Sequence, residues 1–136
     1  MRKRTLGWVA LCGCLMAGSF SLQAHHSLAG AYKIGEEAKV SGSFVAFRMT
    51  NPHSSMKLSV NNPDGSTTEW SFTGGSATQL ARLGMGRTGP NALHAGDNIT
   101  VTYVPPSDGH SPIGVLVAIT YPDGHTIRLR RSTDEN

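Results

Sequence analysis

Cysteine is nearly absent: the 136-residue chain has two, Cys12 and Cys14, both close to its start. Hydrophobic runs of membrane-spanning length are missing as well. The apolar run Leu6 to Leu15 falls well short of the roughly 20 apolar residues a spanning helix needs. Motifs that announce common chemistries are also lacking. The chain has no Gly-x-Ser-x-Gly elbow, no P-loop and no Gly-x-Gly-x-x-Gly opening a helix. Gly84-Met85-Gly86 before Arg87 follows a helical pattern instead of preceding one, which argues against a phosphate cradle.

Net charge is another scarcity once its distribution is considered. The whole chain carries 12 Lys and Arg against 9 Asp and Glu. Three of those cations, Arg2, Lys3 and Arg4, stand in front of the apolar run, which passes into a polar stretch ending Leu22-Gln23-Ala24. A basic head, a short apolar middle and a small terminal residue are the marks of a secretory signal peptide, here 1–24. Residues 25–136 then form a single domain bound for the periplasm or the exterior, with basic and acidic residues in balance. Such a domain lacks the basic stripe that nucleic-acid binding requires. It also contains no thiol, which excludes disulfides and structural Cys-type zinc sites. The alternative for the leader is a lipoprotein box, Leu11-Cys12-Gly13-Cys14, with a lipid anchor on Cys14.

Gly and Pro cluster between apolar segments, as turns do. Segment 38–48 is rich in β-branched and aromatic residues, with Val40, Phe44 and Ala46 on one parity. Segment 56–61 alternates Met56, Leu58 and Val60, and 67–73 alternates Thr68, Trp70 and Phe72. Asn62-Pro63-Asp64-Gly65 joins these two as a turn, so 56–73 is expected to form a hairpin. The period then changes. Ser76 caps a short helix with Ala77, Leu80 and Leu83 on one face and Gly84 as its stop. Strands are expected again over 98–104, 113–121 and 125–130. Three strands, a helix and further strands is the order of an all-β, OB-like barrel. An open β-sandwich is the alternative.

Histidine carries the chemical signal. All six copies lie beyond the leader, and cleavage after Ala24 makes His25 the first residue, followed by His26 and Ser27. A free α-amino group and the imidazole of the same residue chelate one metal ion. A third nitrogen from a distant His completes a T-shaped site, the histidine brace. Nitrogen donors in such an array suit Cu(II). The bland alternative for His25-His26 is a polar terminus without a role. Thr50-Asn51-Pro52-His53 supports the ligand reading: Pro52 stiffens the turn and Asn51 is expected to bond the local backbone, holding His53 in place. Met49 and Met56 bracket His53 and offer either thioether contacts or core packing. His94, His110 and His125 sit in Gly-rich turns and are expected at the surface. Arg128, Arg130 and Arg131 are expected to keep a sheet edge soluble.

With these motifs in hand, the chain resembles a widespread family of small secreted bacterial proteins of unknown function. Its members carry His-His-Ser after the signal peptide, as in His25-His26-Ser27, and Asn-Pro-His after the first strand, as in Asn51-Pro52-His53. Trp70, Leu80 to Gly84, Leu93 with Gly96-Asp97, and Pro122-Asp123-Gly124 also match. The chain departs from the pattern at Met85, where Trp is common, and at Thr73, where an acidic residue is common. The family has no settled activity, so the resemblance bears on the site and not on its use.

The expectation from sequence is therefore a secreted or periplasmic copper-binding protein that acts in copper handling. His25 and His53 serve as metal ligands, and His26 as a fourth ligand or an outer contact. Its partners would be the metal ion and a periplasmic copper protein, with no nucleic acid and no membrane span. One rival is a metal-free module binding a small ligand or a protein on a face around Phe47, Trp70 and Phe72. A second rival is a copper oxidase or oxygenase.

Overall fold

The computed structural model describes residues 30–134. Its elements are β1 (Ala38–Arg48), β2 (Ser55–Asn61), β3 (Thr67–Thr73), α1 (Ala77–Arg82), β4 (Asn98–Val104), β5 (Ile113–Thr120) and β6 (Thr126–Arg128). Each expected strand is present. The last is shorter than its 125–130 span, although Leu129 N–H still donates to Val117 O (2.8 Å) beyond the end of β6. Ser76 caps α1 as expected, its hydroxyl accepting from Gln79 N–H at 3.1 Å.

Strands run in the order β3-β2-β1-β4-β5-β6, and a parallel contact of β3 with β5 closes the first five into a barrel. Closure pairs Ser71 with Ile113, Phe72 with Gly114 and Thr73 with Val115. The open sandwich is thus not the fold, because β3 and β5 meet and remove the edges that a sandwich would leave. β1 makes this possible by serving two neighbours, with 38–43 against β4 and 43–48 against β2. Where it turns from one to the other, Gly42 lies against β2. A Cβ there would sit 2.4 Å from Ser59 O, so the close approach admits no side chain.

A register shift between Phe44 and Ala46 changes the parity of β1. Phe44 pairs with Leu58, Ala46 with Lys57 and Phe47 with Met56. Val45 is the extra residue of a bulge, Ala46 turns outward and Phe47 packs against the core. The expected inward position of Ala46 is corrected by this slip.

The barrel interior holds Phe44, Met56, Leu58, Phe72, Val101 and Ile119, with Leu80 of α1 fully buried. Trp70 stacks on Phe72 at 5.9 Å between ring centroids and meets the Tyr103 ring edge-on at 5.4 Å. A second cluster, Val104, Val115, Val117 and Ala118, is covered by Tyr32 and Ile34. β5 is therefore buried on both faces, which is why its sequence is an almost unbroken apolar run.

Candidate functional site

The loop between β1 and β2 carries His53, and two neighbours fix its path. Ser54 is 1% exposed; its hydroxyl accepts from Thr50 N–H and donates to Thr50 O, both at 3.2 Å. Thr50 Oγ1 donates to His53 O at 2.6 Å. The loop is also tied to the chain after β3: Ser54 N–H donates to Gly75 O (2.7 Å) and Gly74 N–H to Ser54 O (3.0 Å). Ala77 N–H, in the first turn of α1, donates to Thr50 O at 3.0 Å. The Asn51–Pro52 peptide is cis. His53 thus sits on a held backbone, but Thr50 and Ser54, and not Asn51 as the sequence suggests, do the holding.

Gly75 has φ 66°, a conformation that L side chains rarely adopt, and this lets the backbone present its carbonyl to Ser54. With Gly74 it forms part of the wall of a cavity of about 480 Å³. His53 and Pro52 stand on the same wall system, with Tyr32, Val115 and Leu129 contributing apolar surface and Arg130 and Asp134 contributing charge. Side chains from five separate stretches converge here. The sequence marks His53 and Pro52 through the Asn-Pro-His motif and reads Arg130 only as a sheet-edge charge; no local motif marks Tyr32, Val115, Leu129 or Asp134 as part of a cavity.

His25 and His26 lie outside the described residues. Tyr32, which lines the His53 cavity, is seven residues after His25 in the chain. A stretch of that length reaches at most about 25 Å. Tyr32 itself is held by a bridge to Pro106 and by Lys33 N–H donating to Pro105 O at 2.9 Å. Among the described residues no three His, Cys, Asp or Glu side chains form a metal cluster. His53 therefore offers one imidazole here, and the three-nitrogen site expected from sequence would draw its other ligands from residues outside the described ones.

The other described histidines are exposed and occupied locally. His125 Nδ1 lies 2.5 Å from Asp123 Oδ1 and its ring stacks on Tyr121 at 4.1 Å. His110 Nδ1 lies 2.8 Å from Asp108 O, and His94 Nδ1 is 3.8 Å from Asp97. Backbone and ring N–H groups of His125 hold the Asp123 carboxyl below its usual range. Burial, with a smaller effect of Asp97, pushes the Tyr121 hydroxyl up to about 12, and that hydroxyl donates to Asn91 O.

Met56 is fully buried, and Met49 packs against the core beside a smaller cavity of about 280 Å³ with Phe47 and Met85. Met56 is thus core and not a thioether ligand. Of the three aromatic residues expected to form a binding face, Phe72 is fully buried, while Phe47 and Trp70 are half-buried and pack against the core. The parity that pairs Phe72 with Met56 and Trp70 with Leu58 places both rings on the core side of β3. On the opposite side, β2 and β3 carry Lys57 paired with Glu69 at 2.6 Å, flanked by Ser59 and Ser71. Arg128 pairs with Glu37 at 2.9 Å, joining β6 to the residue before β1.

Five strands closed by β3 against β5, with a helix between β3 and β4, define an OB-fold barrel. The chain belongs to a family of unknown function, DUF6152, whose profile matches residues 13–115. Among solved structures, a mitochondrial single-stranded DNA binding protein from S. cerevisiae is similar at 14% identity and a TM-score of 0.46. That match covers 66% of this chain and 97% of the other. No curated protein matches the sequence. Among the described residues, no helix is long and apolar enough to cross a membrane.

Proposed function

We propose that the protein is secreted, binds copper through the amine and imidazole of His25 together with His53, and serves in copper handling. His26 supplies a fourth nitrogen or supports the site from outside. The observation that carries this reading is the cavity shared by His53 and Tyr32. A clamped backbone holds one imidazole there, and the chain leading back to His25 starts from the same cavity. Short tethering raises the local concentration of the terminal nitrogens near His53, which favours one chelate over scattered imidazole binding.

The donor set fits copper in kind: nitrogen donors suit Cu(II), and no thiolate follows residue 24 to compete with them. Bound there, copper would supply a cation with open positions for exchange with a carrier. The protein's own part is to fix His53, keep the terminal residues close and shield one side of the site with the cavity wall.

Electron paramagnetic resonance of the processed protein with one equivalent of Cu(II) tests the reading. Nitrogen hyperfine structure from a single species that diminishes in His53→Ala supports it. A spectrum unchanged by that substitution rejects it. A catalytic variant of the same site, an oxidase or oxygenase, is distinguished by turnover of a reductant with oxygen above the rate of free copper.

A further inference from the structure

The His53 cavity carries a feature that copper binding does not use. Arg130 and Asp134 both line it, yet they do not pair with each other, and among the described residues neither forms a salt bridge. Arg130 donates through Nε to Arg131 O at 3.3 Å, which leaves its two terminal nitrogens. The Asp134 carboxylate accepts from Arg131 N–H through Oδ2 at 2.9 Å, which leaves Oδ1. The same lining includes the apolar side chains of Val115 and Leu129 and the ring of Tyr32. At about 480 Å³ the space is in the range of small-molecule sites, roughly 300–1,000 Å³.

We propose that this cavity binds a zwitterionic α-amino acid with an apolar side chain. Its carboxylate meets the Arg130 guanidinium, its ammonium meets the Asp134 carboxylate, and its side chain covers Val115 and Leu129. A simple carboxylate would satisfy Arg130 while facing Asp134 with like charge, and a simple amine would do the reverse. A ligand that carries both charged groups on one carbon, together with an apolar body, matches all three features. Charge-assisted hydrogen bonds of this kind are the strong ones, and a planar guanidinium presents two N–H groups to a carboxylate.

The test is a metal-free titration of the processed, isotopically labelled protein with L-leucine, followed by amide NMR. Gly74, Gly75 and the Gln79 side-chain amide, which donates to Leu129 O at 2.7 Å, report from the wall. Saturable shifts at these groups are expected. Arg130→Gln and Asp134→Asn should each weaken binding about tenfold or more, consistent with loss of a hydrogen bond to a charged group. On the unaltered protein, 4-methylpentanoate and isoamylamine, which each lack one charge, should bind comparably weakly. Absence of saturable shifts with leucine overturns the proposal. So does equal binding of leucine and either analogue, or binding indifferent to both substitutions. Because metal is excluded throughout, failure here leaves the copper reading untouched, and failure of copper binding leaves this titration valid.

Discussion

His53 differs from the other described histidines in what surrounds it more than in exposure. His94, His110 and His125 each face a nearby aspartate or its backbone within their own turn. His53 instead rims a cavity on a loop whose two ends, Thr50 and Ser54, bond to each other. His53→Ala is expected to weaken copper binding ~100-fold or more, since loss of even an outer partner of a metal ligand costs 10–100-fold. Its melting temperature without metal should stay close to the parent value. His110→Ala and His125→Ala should change copper affinity little. Equal losses in all three, measured by competition with a chromogenic chelator, would mean that copper binds nonspecifically to surface imidazoles.

Ser54 is the residue whose importance the sequence did not reveal. An Asn-Pro-His loop draws attention to Asn51 and Pro52, because those residue types favour turns. Two hydroxyls, from Thr50 and Ser54, make the bonds that hold it. Serine and threonine are common in loops of every kind, so their pattern here carries no distinguishing signal. Ser54→Ala removes a buried hydroxyl that both accepts from and donates to Thr50. It should destabilise the fold by about 1–3 kcal/mol. Chemical denaturation measures this, and an unchanged midpoint would mean that the backbone bonds to Gly74, Gly75 and Ala77 hold the loop by themselves.

Among the elements, strands with regular alternation were legible and their joints were not. β2 and β3 read correctly because Met56, Leu58, Trp70 and Phe72 recur every second residue. α1 was visible through Ser76 and the change of period. The bulge in β1 was invisible: Val45 has the same chemistry as its neighbours, and only pairing with β2 shows it as the inserted residue. The loop between β4 and β5 permits a direct check on local electrostatics. Asp108 accepts from the Ser111 hydroxyl and from the backbone N–H groups of Ser111 (3.1 Å) and His110 (3.0 Å). These bonds, with the Ser111 hydroxyl foremost, hold its carboxyl down to about 2. A carboxyl lowered on folding favours the folded loop fully above the ordinary Asp value of about 3.9, and that contribution disappears as pH falls through about 2. Carboxyl-carbon NMR should give Asp108 a midpoint below that of a free Asp, moving upward in Ser111→Ala. An ordinary midpoint in the parent protein would contradict the hydrogen-bonded loop.

At the scale of the whole molecule, barrel closure and the cavity share a reason for being hidden in the sequence. Both depend on stretches far apart along the chain. β3 and β5 meet in parallel only because β1 pairs on both sides of Gly42, and the cavity draws on Tyr32, His53, Gly75, Val115 and Arg130. Element order suggested an OB-like barrel, since three strands, a helix and two more strands follow its sequence of parts. The convergence of those five residues has no local signature. The copper site proposed above is the most long-range feature of all, because it joins His53 to the first residue of the processed chain. Extending that chain by one residue before His25 tests it most directly. The extension keeps every side chain, converts the His25 amine into an amide and moves the free amine one position away. Cu(II) affinity should fall by orders of magnitude and the paramagnetic resonance spectrum should change, with the metal-free melting temperature unaltered. Equal affinity and an identical spectrum for extended and native forms would contradict the chelate of amine and imidazole on which the account rests.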